Sequence, residues 1–235
     1  LLLPPAALDD ACRHARSRPS SDSESAIRDY FTEIAPGVVS GRILCSDSIA
    51  NLRRELQRVA TAGLPLRRPN GMNRHGAILD SGVNGAVSNG LDVAVTEFVN
   101  DYVRPLAQTL FPGMVGSDDA SDFFAFTIKY DTSGDVKLAE HRDASVVTLN
   151  VNLNTPEEFA SGDLKGSSLY FVDAHNSSRR HFVALEPGGA LFHRGSLRHA
   201  ALPLTGRGVR QNIIIWLFGQ DGWVREMPLR EEERL

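Results

Sequence analysis

From Val147 to Asn154 apolar and polar residues alternate without a break. Val147, Leu149, Val151 and Leu153 hold one parity; Thr148, Asn150, Asn152 and Asn154 hold the other. Successive side chains of a strand point to opposite faces, so this stretch predicts a strand with one face for a core and one for something polar. Shorter apolar runs at Phe123–Tyr130, Ser168–Asp173, His181–Leu185, Ala190–His193 and Val209–Phe218 predict further strands, and their spacing suits an antiparallel sandwich or barrel. The first half has a longer period. Over Ser46–Ala62, residues Ile49, Leu52, Leu56, Val59 and Ala60 share one helical face; over Asp92–Leu110, residues Val95, Phe98, Val99, Tyr102, Leu106 and Leu110 do the same. Pro105 should kink or restart this second helix. Ser25–Ile34 is a shorter helical candidate.

These patterns give an α+β chain, mainly β, with its helices first. Pro4–Ser25 is rich in Pro, Ser, Arg and Asp, and residues 1–22 are expected to form a flexible, poorly ordered lead-in. Residues 23–115 form a helical part, 116–220 a β core, and 221–235 a charged tail. The two long helices should cover the apolar face of the main sheet. Leu64–Leu79 is rich in turn residues and reads as a loop.

Composition adds exclusions. A net charge of −4 over 235 residues does not suggest a nucleic-acid binder. Two cysteines, Cys12 and Cys45, make no disulfide framework, and a bridge between them is not favoured. No apolar run is long enough to span a bilayer. The chain lacks an initiating methionine and is read as a piece of a longer precursor, so its compartment stays open. No Gly-x-Ser-x-Gly and no Gly-x-Gly-x-x-Gly after a strand is present, which disfavours a serine hydrolase and a dinucleotide enzyme.

The chemistry lies at the head of the alternating strand. His141-Arg142-Asp143 is the one His-x-Asp in the chain, a triplet expected roughly once by chance, and it gains weight only from its company. His199 follows 58 residues later, then Arg210, which opens a strand whose Arg210, Asn212, Ile214 and Trp216 share one face. Two imidazoles and a carboxylate with positions left open suit a non-heme Fe(II) site. A 2-oxo acid bound there would need a cation for its far carboxylate, and an arginine fork suits that role. Arg207 has the opposite parity and should point elsewhere. His193 competes as a ligand, but the turn Arg194-Gly195-Ser196 separates it from His199, and a place in the cavity wall is preferred. Trp216 should be core at the rim of the co-substrate pocket.

His141-Arg142-Asp143-Ala144-Ser145, then Thr148-Leu149-Asn150-Val151, resembles the signature of the lysyl hydroxylase branch of the Fe(II)- and 2-oxoglutarate-dependent dioxygenases. Leu191-Phe192-His193-Arg194-Gly195, with His199, Pro203, Thr205, Gly206 and Arg210, is similar to that branch's closing segment. Arg67 and Pro69-Asn70-Gly71-Met72-Asn73-Arg74-His75-Gly76 looks like a loop of small relatives in the superfamily. The resemblance is strongest over Phe123–Phe218. One departure is the mid-domain Gly-Gly, represented only by Gly162 and Gly166.

The resemblance implies a double-stranded β-helix, or jelly roll, with His141, Asp143 and His199 as metal ligands and catalytic centre. Arg210, Tyr130 and Asn150 would bind the co-substrate. Fe(II), 2-oxoglutarate and O2 are implied, with ascorbate in support. The activity implied is hydroxylation of an unactivated C–H bond, coupled to conversion of 2-oxoglutarate to succinate and CO2. A protein or peptide with a prolyl or lysyl target is the expected substrate. The alternatives are a dioxygenase for a small molecule or nucleobase, and a non-catalytic metal-binding jelly roll.

Overall fold

A computed structural model describes residues 2–17, 20–62, 67–69, 71–72, 75–79, 90–116, 123–166 and 168–219. Asn70, Asn73 and Arg74 of the candidate loop, and the charged tail, lie outside the described residues. The start of the chain departs from its composition. Ala6–Ser17 forms helix α1, because Leu8 and Cys12, four apart, bury one face beside Leu2. The Tyr102 hydroxyl donates to Asp9 Oδ1 (2.8 Å), and Leu3 N donates to Ser48 Oγ (2.8 Å), which tie this segment down. Cys12 and Cys45 are free thiols.

Helix α2, Ser21–Tyr30, starts earlier than periodicity suggests, because Ser20 and Ser23 cap each other's backbone amides. It also ends earlier. Thr32–Ala35 is strand β1, paired with β2, Val38–Arg42. Helix α3, Ser46–Thr61, buries Ile49, Leu52, Leu56 and Val59, while Ala60 is exposed. Gly76–Ile78, inside the candidate loop, forms β3. The second long helix is broken: α4, Leu91–Phe98, passes through a π-helical turn at Val99–Val103 into α5, Arg104–Leu110. Pro105 lacks an amide proton and crowds the preceding turn, which explains why the irregularity lies just before it.

Among the described residues, eight strands and one short helix follow. They are β4 (Phe123–Tyr130), β5 (Leu138–His141), β6 (Val147–Asn152), α6 (Pro156–Ala160), β7 (Leu169–Val172), β8 (Arg180–Val183), β9 (Gly189–Arg194) and β10 (His199–Ala201). The last strand, β11 (Arg210–Leu217), completes the set. One sheet has the order β1-β2-β9-β6-β11-β4-β3 and the other β5-β10-β7-β8; every pairing is antiparallel. The expected parities hold on the large sheet. Val147, Leu149, Val151, Ile213, Ile215 and Leu217 join one apolar cluster with residues of α1 to α5. The opposite face meets the small sheet through Phe126, Ile128, Leu191 and Ile214 against Leu169, Phe171 and Ala201. Gly166, where the family's Gly-Gly was expected, bridges to Leu204 at φ +76°. A Cβ there would lie 2.2 Å from the Pro203 carbonyl oxygen, so only glycine fits. Among the described residues no helix is long and apolar enough to cross a membrane.

An ion pair ties α3 to α6. Glu158 caps α6 through the Thr155 backbone amide and takes both arms of Arg53 from α3, at 2.6 and 2.7 Å. The Arg53 guanidinium, aided by the Thr155 amide, holds the Glu158 carboxyl down at about 2, from 4.5. A depressed carboxyl contributes stability that is full above pH 4.5 and is lost as pH falls toward 2. About a third of each side chain is exposed, so solvent screening reduces the pair to on the order of 1 kcal/mol. Glu158→Gln should lower stability by that amount at pH 7. Its difference from wild type should shrink as urea melts are repeated from pH 4.5 toward 2.

Candidate metal centre and the cavity beside it

Strand pairing brings the distant histidines together. β10 runs antiparallel to β5 with His199 opposite His141, and the two ring centroids are 4.3 Å apart. Asp143 lies two residues beyond His141, held by its amide to the Gly195 carbonyl at 3.0 Å. Gly195 must itself be small: a Cβ would meet the Ser145 carbonyl oxygen at 2.0 Å. Asp143 and His199 are buried, and His141 is partly so.

Each imidazole is oriented by a backbone carbonyl. His141 Nδ1 lies 2.8 Å from Ala139 O, and His199 Nδ1 lies 3.0 Å from Leu197 O. A carbonyl only accepts, so Nδ1 carries the proton and Nε2 presents a lone pair. Both lone pairs face one atom: Asp143 Oδ1 is 3.4 Å from His141 Nε2 and 3.7 Å from His199 Nε2. Ligand atoms from the three residues all lie within 4.8 Å of one another, close enough to hold one metal ion.

Protonation suits that use. Burial pushes His199 down to about 3, against the opposing pull of Asp143, so the ring is neutral at pH 7. Burial would raise the Asp143 carboxyl, but the imidazoles around it, His199 first, more than offset this and hold it below the usual carboxylate range. Burial works to lower His141 as well, yet the neighbouring Asp143 carboxylate favours the protonated ring and leaves it raised overall, so a metal at Nε2 would displace that proton. Neutral imidazole nitrogens and an ionised carboxylate, with coordination positions free, are the donor set of non-heme Fe(II) sites. His193 differs from the other two. Its Nδ1 also meets a carbonyl, Arg194 O at 3.0 Å, but its Nε2 faces Asp143 Oδ2, at 3.7 Å. Fully buried against Phe171 and His199, it forms cavity wall, as its turn suggests.

A cavity of about 230 Å³ opens beside the triad, lined by Tyr130, Asn150, Phe126, Ile214 and Trp216. Two donors in its wall, the Tyr130 hydroxyl and Trp216 Nε1, are buried without a hydrogen-bond partner among the described residues. Leaving such groups bare costs about 1–3 kcal/mol each, which a polar ligand in the cavity would recover. Burial pushes the Tyr130 hydroxyl well above its ordinary value, so it stays protonated and can donate. His75, His175 and His181 do not line this cavity.

Arg210 is buried, as its parity predicts, while Arg207 is exposed. It does not line the same cavity. Its side chain lines a neighbouring one of about 100 Å³, with Asn152, Ser168, Leu185 and Leu204. Two links run back toward the metal side. Arg210 pairs in register with Tyr130. Its Nε donates to Asn212 Oδ1 at 3.1 Å, and Asn212 Nδ2 donates to Asn150 Oδ1. Burial lowers Arg210 to about 10, with Tyr130 working the other way, so it remains a cation at pH 7.

Two further residues escaped the sequence reading. Thr148 donates its hydroxyl to Asp143 Oδ2 at 2.6 Å, and Ser145 Oγ lies 2.8 Å from Thr148 Oγ1. The polar parity of Thr148 was the available signal.

Residues 6–116 match the OGFOD2-like domain family. The chain is 32% identical, over 186 residues, to the 2-oxoglutarate and iron-dependent oxygenase domain-containing protein 2 of Xenopus tropicalis, covering 78% of this chain and 50% of that one. Over 116 residues it is 34% identical to procollagen-lysine,2-oxoglutarate 5-dioxygenase 1 of Rattus norvegicus, covering 48% and 14%. The chain thus spans about half the length of the first of these relatives. In fold it is similar to a Trichoplax adhaerens prolyl hydroxylase solved with a hypoxia inducible factor peptide. The TM-score is 0.58 at 16% identity, covering 95% of this chain and 96% of that one.

Proposed function

Since the chain carries an OGFOD2-like domain and is a relative of the 2-oxoglutarate- and iron-dependent oxygenases, we propose that it is a dioxygenase acting on a protein side chain, prolyl or lysyl. The observation that carries this reading is the convergence of two imidazole lone pairs on Asp143 Oδ1 beside a cavity with two unpartnered donors. His141, Asp143 and His199 would hold Fe(II). When bound, iron, 2-oxoglutarate and O2 supply the oxidation that hydroxylates a C–H bond, with succinate and CO2 as co-products. The chain's own residues do the positioning. Tyr130 offers its hydroxyl proton to a co-substrate carboxylate, Asn150 presents its amide at the same wall, and Arg210, in the neighbouring cavity, supplies a buried cation linked to that wall through Asn212. Phe126, Ile214 and Trp216 keep water from the reacting centre.

The strand order β9-β6-β11-β4 facing β5-β10-β7-β8 supports reading residues 116–220 as a double-stranded β-helix, with residues 23–115 packed on its large sheet. A protein substrate is favoured because this chain resembles both a procollagen-lysine dioxygenase and a hydroxylase solved with a peptide.

The test is succinate release from 2-oxoglutarate with Fe(II) and ascorbate against a panel of prolyl and lysyl peptides. The expected result is peptide-stimulated succinate and a peptide heavier by one oxygen atom. Turnover that no peptide stimulates, in protein that binds metal and 2-oxoglutarate, would overturn the protein-substrate reading.

A further inference from the structure

Building on that reading of the metal centre, we infer that Thr148, backed by Ser145, is a positioning residue that keeps Asp143 to a single coordinating oxygen. The two carboxylate oxygens of Asp143 have different surroundings. Oδ1 faces the Nε2 atoms of His141 and His199, at 3.4 and 3.7 Å. Oδ2 is turned the other way and receives the Thr148 hydroxyl at 2.6 Å. A hydrogen bond to an ionised acceptor at that length is of the strong, charge-assisted kind. The threonine has one proton, and the carboxylate only accepts. Ser145 must therefore be the donor in its 2.8 Å contact with Thr148 Oγ1. The result is a directed chain, Ser145 to Thr148 to Asp143 Oδ2, with every member buried.

His193 Nε2 also lies near Oδ2, at 3.7 Å. Its proton sits on Nδ1, spent on the Arg194 carbonyl, so it cannot replace Thr148 as the donor. Thr148 itself is fixed by the sheet: it pairs with His193 on one side and with Trp216 on the other.

The consequence concerns the open positions. A carboxylate free to rotate can offer a metal both oxygens, and the second would take a place that a chelating 2-oxo acid needs. With Oδ2 engaged by Thr148, that place stays available. Removing the hydroxyl should therefore harm co-substrate binding at the metal, beyond any effect on metal uptake.

The experiment compares wild type, Thr148→Val, Thr148→Ser and Ser145→Ala. Anaerobic Fe(II) affinity is measured first. The loaded protein is then titrated with 2-oxoglutarate, followed by its metal-to-ligand charge-transfer absorption, and each metal-free protein is melted. Thr148→Val should lose 2-oxoglutarate affinity by on the order of 10- to 100-fold, the range carried by outer-shell partners, and lose charge-transfer intensity with it. Thr148→Ser restores the hydroxyl and should recover most of both, while Ser145→Ala should fall between. Wild-type titration by Thr148→Val, or equal losses in the Val and Ser variants, would overturn the inference while leaving the metal centre in place. Failure of wild type to take up Fe(II) would overturn the metal centre itself, and the inference with it.

Discussion

His199→Ala is expected to abolish 2-oxoglutarate turnover and to weaken metal uptake by more than the roughly 10- to 100-fold that outer-shell partners carry. The ring contributes one of three donors that face a common point, and no neighbour can take its place. His193 is the nearest imidazole outside the triad, with ring centroids 4.7 Å apart, but its Nε2 lone pair faces Oδ2 and not Oδ1. The fold should survive the substitution. The His199 ring donates to Leu197 O and stacks on Phe171 at 5.4 Å. Losing these should cost about 1–3 kcal/mol, within the stability of an ordinary domain. Calorimetry with Fe(II) or Co(II), a succinate assay and a metal-free melt together decide the matter. Wild-type metal affinity in this variant would remove His199 from the centre. His193→Ala is the control and should keep measurable uptake.

The legible parts of the fold were those whose pattern repeats for several residues. β4 and the paired β6 and β11 show their period-2 faces over 6 to 8 residues, and α3 shows its stripe over 16. The parts that escaped are short or borrow their shape from distant partners. β5 and β10 have 4 and 3 residues, too few for a period to register, yet their pairing is what sets His141 opposite His199. Thr32–Ala35 has a sequence that a preceding helix could continue; it becomes strand because β2 pairs with it and β9 pairs with β2. Helix α1 was hidden by its polar composition, since only Leu8 and Cys12 mark its buried face. At the site, residue types and parity were enough to single out three side chains that the fold gathers within reach of one ion, and to expect Arg210 rather than Arg207 to turn inward. They could not say which oxygen of Asp143 faces the imidazoles, nor that Thr148 holds the other, because both depend on the turn after β5. Nor could parity show into which cavity a long arginine bends.

Arg210→Ala should raise the 2-oxoglutarate requirement roughly 30-fold or more while leaving Fe(II) affinity nearly unchanged. Truncating one partner of a buried, hydrogen-bonded charge pair costs about 2–5 kcal/mol, and the guanidinium is buried yet still protonated at pH 7. Arg210 pairs in register with Tyr130, and its Nε hydrogen bond to Asn212 leads on to Asn150, which lines the cavity beside the triad. The metal-binding atoms lie at the opposite end of that relay, which is why metal uptake should be spared. A comparison with 2-oxobutyrate, which keeps the chelating 2-oxo acid but lacks the distal carboxylate, makes the assignment specific. Wild type should strongly prefer 2-oxoglutarate, and Arg210→Ala should lose most of that preference. Arg210→Lys keeps a charge but not the fork, and should fall between the two. A different pattern would follow if Arg210 only supports the core by satisfying Asn212 Oδ1. Its loss would then lower the melting temperature of the metal-free protein, weaken Fe(II) and 2-oxoglutarate together, and leave the preference between the two acids intact.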